Sequence, residues 1–206
     1  MRHDTVEGFL QSLAARVPAP GGGATAALHA AQAAALVAMV ARYSDGPRYA
    51  EHAEAIVRVR DAADAAREEA LTLAERDAAA FTAVTDAYRL PKGSADEAAQ
   101  RSAAIAEAVL GAARPPAAVV ELAGSVLDLA EALLPVGNPN VVSDVAAAAE
   151  AARAAAVTAR VNIEINLSGI TDAAARAELL DRAGSVDGLA ERADKLTAAV
   201  RAELGR

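Results

Sequence analysis

Apolar positions recur along this chain at the three-to-four-residue spacing of helices, and nowhere do they alternate long enough to make a strand. Asp4 with Glu7 forms a capping box ahead of Phe9, Leu10 and Leu13, so a first helix is expected over 5–15. A second begins at Gly21-Gly22-Gly23 and runs to about Tyr43. Its Ala, Leu, Val and Met positions surround the whole cylinder, which predicts burial on several sides. After the turn Ser44-Asp45-Gly46-Pro47, nothing breaks the pattern over 47–88, a helix on the order of 60 Å long at 1.5 Å per residue. Leu90-Pro91-Lys92-Gly93 ends it, because proline cannot continue the hydrogen-bond ladder. Ser94 with Glu97 caps a helix to about Ala113, and Pro115-Pro116 are expected to open another, to about Leu134. Asn138 caps and Pro139 starts a helix to about Leu167, a short helix follows Thr171 or Asp172, and an amphipathic one covers 186–204. The expected fold is all-α, one domain over 1–206, a bundle of seven or eight helices. A helix as long as the third projects from a compact monomer unless a partner covers it, so a homo-oligomer, a dimer, is expected.

Composition narrows this picture. Of 206 residues, 54% are hydrophobic but only 2% aromatic. The apolar mass is Ala, Val and Leu, which suits helices packed at short distance through small side chains. The formal charge of −8 argues against nucleic acid or an anionic membrane as the main partner. With no cysteine, disulfides and thiolate metal sites are excluded. His3, His29 and His52 show no ligand spacing, so no metal is expected. The amino terminus lacks the apolar core of a signal peptide, and the long apolar run over 24–41 is alanine-rich and carries His29 and Gln32. It reads as a buried helix rather than a membrane span, with the cytoplasm as the expected compartment.

Three stretches carry candidate chemistry. In Pro18-Ala19-Pro20-Gly21-Gly22-Gly23, two prolines stiffen the approach and three glycines expose the first N–H groups of a helix, which can receive an anion or a carbonyl oxygen. A plain flexible turn between closely packed helices is the competing reading. No Gly-Lys-Ser/Thr follows and no strand precedes, so neither a Walker loop nor a dinucleotide fingerprint is present. Second, Asn140 and Asp144 share a helix face with Ser143 beside them, in a first turn where a negative group is favoured. Asp144 serves either proton transfer or simple capping. Asn162 and Asn166 return to nearly the same face, but Asn140 and Asn162 lie roughly 33 Å apart along the axis, so they share a site only across subunits or are structural. Third, Asp77 sits on one stripe with Phe81, Val84 and Tyr88, with Lys92 one turn beyond. A carboxylate facing a core is costly unless paired, so Asp77 is either a group with a shifted pKa or half of a locking ion pair.

Taken in order, Pro18 to Gly23, Leu90-Pro91-Lys92, Gly137-Asn138-Pro139-Asn140 with Ser143-Asp144, and Asn162 with Ile165-Asn166-Leu167 resemble the formiminotransferase-cyclodeaminase C-terminal family. The resemblance covers roughly Thr5 to Asp172. Two positions depart from the family pattern: Ala24 stands where serine is usual, and Gly46-Pro47-Arg48-Tyr49 stands where Gly-Lys-Lys/Arg-Tyr is usual. Only the cyclodeaminase-like domain is read, so no channelling within the chain is expected.

The resemblance implies one-carbon folate chemistry without a permanently bound cofactor. Members convert 5-formiminotetrahydrofolate to 5,10-methenyltetrahydrofolate with loss of ammonia, or hydrolyse methenyltetrahydrofolate to 10-formyltetrahydrofolate. The first activity is the leading expectation, the second the alternative, and a folate-binding or scaffold protein that has lost the chemistry the third. On this reading Asp144 transfers protons with Lys92 as partner. Gly21, Gly22 and Gly23 admit the folate to the backbone, Asn138, Asn140 and Ser143 bind the pterin or water, and Arg42, Arg48 or Arg89 meets the glutamate tail.

Overall fold

The computed structural model describes residues 2–204. Among these, every regular element is helical: α1 (Val6–Ala14), α2 (Gly22–Arg42), α3 (Ala53–Arg89), α4 (Ala95–Leu133), α5 (Val142–Leu167), α6 (Ala173–Gly184) and α7 (Val186–Leu204), with 3-10 turns at Pro47–His52 and Pro139–Val141.

α2 is the central rod. It packs against α3 on one side, α5 on the other and α4 behind, while α7 extends the layer beyond α5 and α6 joins α4 at the back. Alanine makes this arrangement possible. Ala26, Ala27, Ala30, Ala33 and Ala34 of α2, and Ala148, Ala149, Ala152, Ala155, Ala156 and Ala159 of α5, are all fully buried. Side chains that end at Cβ let helix axes approach to the short end of the 8–10 Å range. α2 and α4 are each long and apolar enough to cross a bilayer, but the apolar surface of α2 is mostly covered by neighbouring helices.

The long third helix is present, with a 3-10 turn ahead of it. The expected division at Pro115-Pro116 is not: α4 runs straight through both prolines. Both rings are buried. The expected Asp4 cap also moves by one residue: Thr5 is the N-cap of α1, its hydroxyl accepting from Gly8 N at 3.0 Å. The Ser94–Glu97 capping box is present with both of its hydrogen bonds.

Two features fix the ends of the layer. α5 runs antiparallel to α2, since a Cβ on Gly22 would meet Asn162 Nδ2 at 3.4 Å, while Asn138, just before α5, contacts Tyr43 at the far end of α2. Beyond the start of α2, the last turns of α3 and the first of α4 continue as a largely exposed two-helix arm, on which Phe81, Tyr88 and Leu90 are open to solvent. Tyr88 there lies under the Arg101 guanidinium, 5.5 Å from ring centroid to Cζ.

Candidate functional site

The polar groups collect at the two ends of α2. At its amino end the chain arrives through a cis Ala19–Pro20 bond and enters the helix at once, with Gly21 as an extended N-cap that offers no side chain. α3 passes this point and places Asp77 directly over the glycines. A Cβ on Gly23 would lie 1.9 Å from Asp77 Oδ1, so only glycine leaves room for the carboxylate. Asp77 accepts the Ala24 N–H, one of the orphan donors of the helix start. No cation pairs with it among the described residues. Burial pushes its carboxyl above the ordinary range, and the Ala24 N–H draws it partly back. The locking ion pair that the sequence left open is therefore absent, and the carboxylate with a raised pKa is present.

Asn162 of α5 closes the other side of the glycines. Its Nδ2 donates to Thr158 O at 2.8 Å, and Asn166 Nδ2 donates to Asn162 O at 2.7 Å. Thr25 Oγ1 donates to Gly21 O at 3.0 Å, turned back on its own helix. Ala24, where the family has serine, is fully buried. Its lost hydroxyl would have faced the bundle interior rather than the open side of the glycines.

At the carboxyl end of α2, Ser44 is buried, donating to Val40 O at 2.7 Å and accepting from Asn138 N at 2.8 Å. Asn138 Nδ2 donates to Tyr43 O at 2.7 Å, and its Oδ1 accepts from Asn140 N at 3.0 Å. Much of the Asn138 amide is thus engaged in tying α2 to the start of α5. Gly137 is required here, because a Cβ would lie 2.9 Å from Leu133 O. Asn140 and Ser143 are exposed, and Asp144 is half-buried in the first turn of α5.

Within one chain these two groups do not meet. From Asp144 to Asn162, α5 rises roughly 27 Å, so Gly21, Gly22 and Gly23 sit at one end of the layer and Asn138, Asn140, Ser143 and Asp144 at the other. Lys92 is exposed in the α3–α4 connection at the tip of the arm, further still from Asp144. The pairing of Asp144 with Lys92 is not formed inside one subunit, because α2, α5 and the arm all lie between them. Of the basic residues considered for an anionic tail, Arg42 is paired to Asp64 at 2.5 Å and Arg89 to Asp86 at 2.9 Å, while Arg48 lies over the Tyr49 ring.

Comparison with known proteins decides the family. The family described as formiminotransferase-cyclodeaminase matches residues 5–185. The chain belongs to this family. Similar proteins include a methenyltetrahydrofolate cyclohydrolase from Methylorubrum extorquens, 36% identical over 94% of this chain and 92% of that protein. The formimidoyltransferase-cyclodeaminase of Mus musculus is 32% identical over 82% of this chain, which spans only 31% of that longer protein. Among solved structures, formiminotetrahydrofolate cyclodeaminase from Thermotoga maritima matches with a TM-score of 0.82 and 29% identity, over 97% of this chain and 98% of that one. The chain is thus a member of a folate one-carbon family of cyclodeaminases and cyclohydrolases, in its all-α fold. No group of three or more His, Cys, Asp or Glu that could hold a metal ion occurs among the described residues.

Proposed function

We propose that this chain hydrolyses 5,10-methenyltetrahydrofolate to 10-formyltetrahydrofolate, with Asp77 as the proton-transfer group. The observation that carries the reading is the position of Asp77: a half-buried carboxylate with no cation paired to it among the described residues, held on the Ala24 N–H at the start of α2. A carboxyl whose pKa is raised is a stronger base than an ordinary carboxylate and is suited to take and return a proton. Water adds to the carbon bridging N5 and N10, and Asp77 accepts the proton that water loses. The C–N5 bond of the resulting tetrahedral carbinol then breaks, with N5 protonated from Asp77, the hydroxyl proton released to solvent as its oxygen becomes the carbonyl, and the formyl group left on N10. Gly22 and Gly23 are the first two residues of α2, whose N–H groups have no intrahelical acceptor and are of the kind that stabilises oxygen charge. The cyclohydrolase is preferred over the deaminase because a relative 36% identical over 94% of this chain and 92% of its own length carries that activity in its name.

The second reading, formiminotetrahydrofolate cyclodeaminase, is favoured by the Thermotoga maritima structure, which matches equally completely. It needs the same proton donor, with ammonia as the leaving group. Ultraviolet assays separate the two. Bleaching of the methenyl absorbance without ammonia release supports the hydrolase, and its growth from formiminotetrahydrofolate with ammonia release supports the deaminase. Folate binding without turnover of either substrate leaves a non-catalytic binding protein.

The proposal includes a dimer of this chain. On the outer side of α5, Ala147, Ala154 and Val161 form a stripe at seven-residue spacing, continued one turn on by Ile165, with Val161 and Ile165 58% and 74% exposed. Tyr43 is exposed on the adjoining face of α2. Two copies of α5 crossing antiparallel about Ala154 would bury this stripe. The same crossing would bring Asp144 of one copy to the level of Glu164 of the other, within a turn of Asn162 and Gly22. On this arrangement Asn138, Asn140, Ser143 and Asp144 complete the glycine end of the second subunit.

A further inference from the structure

Among the described helices, α1 is amphipathic yet has no buried residue. Its Phe9 and Leu13 are only half-buried, and Val6 and Leu10 are 79% and 54% exposed. The helix is not loose, since Arg2 ties the segment before it to α3 through Glu68 at 2.9 Å and Thr72 at 3.0 Å. What lies beneath it is not packed core but a cleft of about 450 Å³ between α1, α2 and α3. Phe9 and Leu13 roof it, while Leu28 and Leu71 make its walls. His29 and Gln32 line it too, and neither has a hydrogen-bond partner among the described residues.

That combination of apolar walls and two unengaged polar side chains is the make-up of a small-molecule site. One end of the cleft adjoins the glycines. Thr25, hydrogen-bonded to Gly21, and Ala74, one turn before Asp77 on α3, both line it. From Asp77 back to Arg67 at the other end, α3 rises roughly 15 Å. Resting on the folate reading of the preceding section, we infer that this cleft receives the p-aminobenzoyl arm of the folate whose pterin and bridging carbon lie at Asp77.

The local charges favour the ring over the carboxylates as the occupant. Arg2 is paired to Glu68, and Arg67 to Asp64 at 3.1 Å, so neither rim guanidinium is left over for an anion. The aromatic ring lies between Leu28 and Leu71 under Phe9 and Leu13, its amide carbonyl meets Gln32 or His29, and the glutamate leaves toward solvent.

The test joins a binding and a kinetic measurement on the full-length protein. p-Aminobenzoylglutamate, which lacks the pterin, is titrated while the imidazole C–H signals of the three histidines are followed, with His29 assigned through His29→Gln. In parallel, KM and kcat are measured for wild type and for Phe9→Ala/Leu13→Ala. That variant alters only half-exposed side chains, and circular dichroism checks its fold. The inference expects the His29 signals to move alone, and KM to rise tenfold or more while kcat changes less than threefold, the mark of lost uniform binding. Turnover by wild type with KM unchanged in the double variant would overturn the cleft assignment and leave the folate activity standing. If wild type turns over no folate, the activity falls; selective movement of His29 by the probe still supports an aromatic-arm site, and still histidine signals overturn it.

Discussion

The Asp77 carboxylate occupies the space where any side chain at position 23 would begin, 1.9 Å from the place of a Cβ. This explains the glycine by something other than a turn. Gly23 is the second residue of α2, where alanine would by itself favour the helix. The contact reverses that sign. Gly23→Ala is expected to lower stability by about 1–3 kcal/mol through overpacking and to reduce turnover at least about a hundredfold by displacing Asp77. Urea denaturation and steady-state kinetics on the same preparation measure both.

Asp77→Asn should separate function from stability. The amide keeps the Ala24 contact but cannot carry a proton, so kcat is expected to fall by about 10²–10⁴. Because burial raises the Asp77 pKa in the folded state, its ionisation opposes folding. The stability associated with its protonated form is fully present below the unfolded-state pKa and is lost as pH rises through the raised folded value. At neutral pH the variant should therefore melt no lower than wild type, and the two curves should converge in acid. A thermal melt series from pH 3 to about 8 checks this, and a variant that melts well below wild type at neutral pH would contradict it.

Shared sites across a dimer have a sharper signature. Asp77→Asn and Asp144→Asn should each be nearly inactive alone. Mixed, dissociated and reassociated, half the dimers are hybrids, and each hybrid has one site with both carboxylates intact. About a quarter of wild-type activity should return. No recovery in hybrids confirmed by mass would remove Asp144 from the site.

Ser44→Ala tests the opposite end of α2. It leaves the Asn138 N–H without its buried acceptor and removes the bond to Val40 O. A loss of about 1–3 kcal/mol in denaturant unfolding is expected.

Much of this fold was legible in the sequence. The helical period, the Ser94–Glu97 box and the breaks at Pro47, Pro91 and Pro139 placed most elements, because each is a local rule. Pro115-Pro116 misled for the same reason: the local rule ends a helix there, whereas both proline rings find burial in the bundle. The site was legible only in parts. Asp77 stood out as a carboxylate on an apolar stripe, yet its partner is a backbone N–H more than fifty residues away, which no spacing reveals. Asn138 looked like a ligand-binding amide, but its hydrogen bonds run largely to Tyr43 and Asn140. The separation of Asp144 from the glycines followed once α2 and α5 proved antiparallel, a matter of topology rather than pattern. The cleft under α1 had no signal beyond the polar His29 and Gln32 on an otherwise apolar helix.

The alanine contact between α2 and α5 has one more effect. Alanine has no rotamers to freeze or exchange, so this seam cannot absorb a disturbance by side-chain rearrangement. The distance between the glycine end and the Asn138 end is in effect a ruler of fixed length. Substrate preference in such a protein is open to change at the tips and along α1, while its midsection tolerates almost no added volume.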